Sequence, residues 1–127
     1  MFVSKIQNIA MKKLTEQEEL IMSSLWNLKK AFVKDIVADI TQSLHYNTVS
    51  TVVRKLENKG FISHESFGNT HRYSPKISKE QYSEFVMEQE SKKFFDGSYK
   101  DMVSYFAEKE KISQQDLEEI LQLIKNK

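Results

Sequence analysis

Cysteine is absent from all 127 residues. That excludes disulfides, zinc fingers, iron–sulfur clusters and thiol nucleophiles. It also fits a reducing compartment, so a cytoplasmic location is expected. No apolar run approaches the roughly 20 residues of a membrane span, and residues 1–10 lack the continuous apolar core of a secretion signal. Met11-Lys12-Lys13 reads as an alternative start, which would leave residues 1–10 as a loose arm. Only three glycines and one proline occur, and no phosphate-cradling glycine motif is present. The three histidines, His45, His64 and His71, show no metal-ligand spacing. No carboxylate pair falls in an apolar, glycine-rich context that would tune it for acid–base work. The sequence therefore points to no enzyme, no metal, no cofactor and no small-molecule ligand.

What is present suits a small globular protein. Hydrophobic residues make up 39% and charged residues 29%, well away from the composition of disordered chains. The net charge of +1 conceals an asymmetry. Residues 1–77 hold 11 Lys/Arg against 7 Asp/Glu, whereas residues 78–127 hold 8 against 11. A basic first part and an acidic second part suggest two jobs and a boundary at 77/78.

Thr15-Glu16-Gln17-Glu18 is a capping box, and its acids suit a helix N-terminus. A helix is expected over about 15–28, with Leu14, Ile21, Leu25 and Leu28 on one face. Val33, Ile36, Val37 and Ile40 repeat at i, i+3, i+4, i+7 and predict a second helix ending near Gln42. After the linker Ser43-Leu44-His45-Tyr46, Asn47 is the expected N-cap of a third helix over 47–60. Val49, Val52, Val53 and Leu56 form its apolar face, and Gly60 its stop. The period then changes to two. Phe61–Phe67 and Thr70–Ser74 read as strands around a Gly68-Asn69 turn, with Pro75 closing the second. Three helices followed by a hairpin predict a mainly α fold with a small β-hairpin wing, a winged helix-turn-helix.

Beyond it, Ser78-x-x-Gln81, Ser98-x-x-Asp101 and Ser113-x-x-Asp116 each open a helix, and Gly97 separates the first two. Tyr99, Met102, Val103 and Phe106 form one apolar stripe; Leu117, Ile120, Leu121 and Ile124 form another. A thin helical tail cannot cover both by itself, so residues 78–127 are expected to be a dimerisation region.

At 100° per residue, the outward face of the third helix collects Asn47, Thr51, Arg54, Lys55 and Asn58, with Thr48 and Ser50 on its flanks. No acid lies on it. Arg suits guanine, Asn suits adenine, and Ser or Thr suits base or phosphate. In the hairpin, His71 and Arg72 are placed to meet the backbone or minor groove. The expected partner is double-stranded DNA. The alternative is a winged-helix adaptor that binds proteins rather than DNA; an adaptor has no reason to keep this face cationic and acid-free.

The stretches Leu14–Met22, Asn47–Ile62 and Arg72–Pro75 resemble the penicillinase-repressor family, which includes the β-lactamase, methicillin-resistance and copper-responsive repressors. The most specific part is the second and third helices with Lys59-Gly60-Phe61-Ile62, and the likeness runs from about Leu14 to Ile124. The resemblance implies a cytoplasmic homodimer whose winged helices bind a palindromic operator and whose C-terminal helices dimerise. The cysteine-rich metal site of the copper-responsive members is missing. Members that respond to β-lactams are inactivated when a membrane-bound antirepressor protease cuts an Asn–Phe bond. The similar bond here is Tyr105–Phe106, with Tyr105 in place of the Asn.

Overall fold

The computed structural model describes residues 11–127; the arm expected at residues 1–10 lies outside them. Six helices and two strands follow in the order α1 (Glu16–Leu28), α2 (Val33–Asp39), α3 (Tyr46–Asn58), β1 (Ile62–Phe67), β2 (Thr70–Pro75), α4 (Lys79–Phe95), α5 (Tyr99–Glu108) and α6 (Gln114–Lys125). The chain divides into two compact units, one ending at Ser83 and one spanning Glu84–Lys127. This division falls inside α4 rather than at the expected 77/78.

The physical reason is Tyr82. Its hydroxyl accepts from the Leu14 N–H at 2.8 Å and donates to Glu19 Oε2 at 2.7 Å. Its ring lies 6.0 Å from Trp26 and 5.9 Å from Phe61. Burial, with the Glu19 carboxylate adding to it, pushes the phenol up to about 12 despite the Leu14 hydrogen bond. The Trp26 indole also donates to the Ile77 carbonyl at 2.9 Å. The first unit therefore uses the opening turn of α4 as part of its own core.

Helix α1 begins as its sequence dictates. Thr15 Oγ1 accepts from the Glu18 N–H at 3.2 Å, and Glu18 Oε1 accepts from the Thr15 N–H at 2.9 Å. Helix α2 stops at Asp39, short of the expected Gln42, because Ile40 turns extended at φ −69°, ψ 143°. Helix α3 starts one residue earlier than expected. Its N-cap is His45, not Asn47: His45 Nδ1 accepts from the Asn47 N–H at 3.2 Å. An imidazole nitrogen here fills the place usually taken by a Ser, Thr, Asp or Asn oxygen.

The core gathers Ile21, Met22 and Leu25 of α1, Ile36 of α2, and Val49, Val53 and Leu56 of α3 against Phe61 and Ile62. Burial of each such side chain contributes about 1.5–3 kcal/mol. Leu28, expected on the apolar face of α1, is 37% exposed instead. The hairpin pairs Glu65 with Arg72 and Phe67 with Thr70. Gly68 alone takes positive φ (62°) in the turn, the pattern of a II′ hairpin with glycine first. A backbone bridge, Ala31 N–H to Tyr73 carbonyl (3.0 Å) and back (2.8 Å), ties β2 to the α1–α2 connection.

One ion pair fixes α3 from its far end. Lys59 Nζ sits 2.6 Å from Glu18 Oε2, whose side chain is only 5% exposed. Burial pushes the Glu18 carboxyl up, but the Lys59 ammonium and the Thr15 N–H outweigh it, and the group ends below its usual 4.5. A carboxyl held low stabilises the fold above its unfolded value and loses that contribution as pH falls through the folded one. Lys59→Met leaves the carboxylate without its cation and is expected to cost about 1–3 kcal/mol at neutral pH. Urea unfolding should show this, with the deficit shrinking as pH falls through the carboxylate range and the buried carboxyl of the variant protonates first. Unchanged stability at neutral pH would contradict the tie.

Candidate nucleic-acid interface

Helix α3 presents two faces for a simple reason. Its valines and Leu56 fall on one side at helical spacing and are buried. The polar positions are thereby forced outward: Asn47, Thr51, Arg54, Lys55 and Asn58 are exposed, and Thr48 and Ser50 half-buried. The outer face is preorganised. Thr51 Oγ1 donates to the Asn47 carbonyl at 2.9 Å, and Arg54 Nη2 donates to Thr51 Oγ1 at 3.4 Å. Glu57, at the margin, is turned away and held 2.6 Å from His64 Nδ1.

A groove of about 430 Å³ lies between the start of α2, the outer face of α3 and the hairpin. Its polar lining comes from Lys34, Ser50, Arg54, Asn69, Thr70 and His71, and its aromatic lining from Phe32, Tyr46 and Tyr73. Of the residues expected at the interface, this groove brings together Ser50, Arg54 and His71. Lys55 lines a different hollow, with Glu16 and Lys59. The other seven lining residues were not among those expected at the interface, and Lys34, Tyr46 and Thr70 are among those that add polar groups to the open groove. Tyr46, Ser50 and Arg54 stand at i, i+4 and i+8, a spacing that would have revealed Tyr46 had α3 been started at His45. Tyr46 is 51% exposed at the first turn of that helix.

Strand alternation divides the hairpin's chemistry. His64, His71 and Tyr73 share one face. The two imidazoles stack with centroids 3.9 Å apart and planes 3° from parallel, and Tyr73 is tilted 59° to His64 at 5.7 Å. Burial pushes the Tyr73 phenol up, and nearby Glu57 adds to this while Arg54 opposes it. Arg72 is on the other face. Its guanidinium donates to Glu65 Oε1 at 3.1 Å and lies 4.8 Å above the Phe67 ring, and its buried Nε has no partner. Lys30 Nζ approaches the same Glu65 oxygen at 3.7 Å. The Arg72 hydrogen bond, aided by the charges of Lys30 and Arg72, holds the Glu65 carboxyl below its usual range. A phosphate would have to compete with Glu65 for Arg72, whereas Arg54, Lys34 and Thr70 line open space.

In the second unit the expected stripes are not covered within one chain. Neither α5 nor α6 contains a buried residue. Tyr99, Val103, Phe106, Ile120, Leu121 and Ile124 are exposed, and Met102 and Leu117 half-exposed. The Tyr105–Phe106 bond lies inside α5, and the two rings pack 5.9 and 6.5 Å from Phe95.

Three helices, the third polar and cationic outward, followed by a hairpin at its flank, define a winged helix-turn-helix protein. The chain belongs to the penicillinase repressor family, which matches residues 14–126. It is similar to the penicillinase repressor of Bacillus licheniformis, with 22% identity over 114 residues, spanning 88% of this chain and 89% of that one. It is also similar to the methicillin resistance regulatory protein MecI of Staphylococcus aureus strain N315, with 23% identity over 117 residues, 91% of this chain and 95% of that one. The solution structure of the DNA-binding domain of the repressor BlaI superposes with a TM-score of 0.50 at 23% identity, covering 57% of this chain and 94% of that chain. No helix among the described residues is long and apolar enough to cross a membrane.

Proposed function

We propose that this protein is a cytoplasmic transcriptional repressor that binds double-stranded DNA as a homodimer. The observation that carries the reading is the outer face of α3: exposed Asn47, Thr51, Arg54, Lys55 and Asn58 without an exposed acid, opening onto a groove with Lys34 and His71. A helix enters the major groove, where Arg54 is suited to guanine and Asn47 or Asn58 to adenine. Lys34, Ser50, Thr70 and His71 then flank a phosphate strand and set the register. The names of the B. licheniformis and S. aureus relatives, a repressor and a resistance regulator, agree with this role.

The uncovered stripes on α5 and α6 are the second support, because exposed apolar faces of this kind seek a partner. A second copy of the chain supplies an identical surface, and two recognition helices related by a two-fold axis must meet inverted half-sites. Repression would end when a membrane-bound protease cuts Tyr105–Phe106, severing the stripe on α5 and separating α6 from it. Recovery of only intact 14.9 kDa chain from derepressed cells, by mass spectrometry, would remove that step.

The test of the DNA reading is a duplex taken from upstream of the protein's own reading frame. Retardation should weaken by about a thousandfold or more between low and physiological salt, since six or more phosphate contacts each release a counterion. An unshifted duplex, or salt-independent binding, would favour the protein-binding adaptor instead.

A further inference from the structure

A phosphate contact by His71 does not by itself require a second imidazole beside it. His64 and His71 stack face to face at 3.9 Å, 3° from parallel, on the side of the hairpin that meets α3. Two imidazoles at this distance can share one positive charge easily. Two charges repel strongly unless each has its own anion. His64 has one: Glu57 Oε2 lies 2.6 Å from its Nδ1. His71 has none among the described residues. It lines the groove in company with the cations Lys34 and Arg54, which are its charged neighbours from α2 and α3. On its own hairpin, Glu65 and Arg72 are paired with each other on the opposite face, and Tyr73 presents a ring edge at 6.1 Å. The stack therefore has one counter-anion, Glu57, for its two imidazoles.

We propose that the missing anion is a DNA phosphate, and that the wing takes up a proton on His71 when duplex enters the groove. This rests on the DNA-binding reading above and adds a coupling to it. A phosphate between Lys34, Arg54 and His71 gives the second imidazolium its partner, so the bound state holds a proton that the free state does not. Linkage then fixes the sign. The affinity gained from this proton is fully present at the acidic end of the imidazole range and is lost as pH rises through the value of the bound state. At the wing only the two stacked imidazoles belong to that window, because carboxylates ordinarily titrate below it and Lys, Arg and Tyr above it. Outside the wing, the His45 Nδ1 accepts the N-cap hydrogen bond of α3. Protonating it would remove the cap and weaken binding at low pH, the opposite direction.

The experiment uses the full chain and a mixed-sequence duplex, because a phosphate contact needs no particular bases. Fluorescence anisotropy at constant ionic strength should show roughly fivefold to tenfold tighter binding at about pH 6 than at about pH 8. In the His64→Gln/His71→Gln variant the affinity should be the same at both pH values. Calorimetric titration of the parent protein in two buffers of different ionisation heat should show uptake of about half a proton near neutral pH; this readout does not depend on how any variant folds. Binding that is strong but independent of pH, an equal pH response in the double variant, or no proton uptake would each overturn the proposal. Failure of the parent to bind duplex at either pH would remove the DNA-binding reading, and the proposal with it.

Discussion

Ile120→Asp/Ile124→Asp is expected to convert the proposed dimer to a monomer of 14.9 kDa in sedimentation at micromolar concentration, and to lower operator affinity by about a hundredfold or more. The two side chains are 45% and 65% exposed in the single chain, so replacing them costs the isolated subunit little. In a dimer they would be desolvated, and a buried carboxylate without a cation opposes association by several kcal/mol. The DNA consequence follows from tethering. In the proposed dimer each half-site would be held by a weak monomeric grip, and the partner's contact would come at high effective concentration only while the seam holds. Point substitutions serve better here than truncation at 77/78, because that cut would discard Tyr82 and with it the anchor on Leu14 and Glu19. A variant that stays dimeric, or a monomer that binds as well as the parent, would contradict the assignment of the stripes.

Arg54→Ala is expected to cost about 1–3 kcal/mol on the cognate site and to flatten base preference at the position Arg54 reads. Its guanidinium is exposed, positioned by Thr51 at 3.4 Å, and at the mouth of the groove. Arg72→Ala should behave differently. Arg72 is engaged by Glu65 and by the Phe67 ring in the free protein. Its loss should therefore reduce binding modestly and equally on all sequences while loosening the hairpin. Competition titrations with cognate and scrambled duplexes separate the two patterns. An Arg54→Ala protein with undiminished preference would sink the recognition-helix assignment.

Much of the architecture was legible because local rules and tertiary packing agree. The Thr15/Glu18 and Ser78/Gln81 boxes form as reciprocal hydrogen bonds. Gly68-Asn69 fixes the hairpin register, from which the pairing of Glu65 with Arg72 and the diagonal approach of His64 to His71 follow. The readings that failed did so where an uncommon residue took a common role. His45 caps α3 where Asn47 was the conventional choice, and this two-residue shift of the cap hid Tyr46. The groove could not be read from any one segment, since it joins Lys34, Arg54 and Thr70 from three elements. The division inside α4 was hidden for the same reason. Ser78 announces a helix start, but only packing shows that Tyr82 belongs to the core beneath it.

Selection of bound duplexes from a random pool tests the central claim most directly. Two copies of α3 related by a two-fold axis should recover inverted repeats with centres about one helical turn, or a small multiple of it, apart. Each half should carry a guanine preference that disappears with Arg54→Ala. Recovery of single unpaired half-sites would contradict the symmetric repressor, and recovery of no sequence at all would contradict DNA recognition by α3.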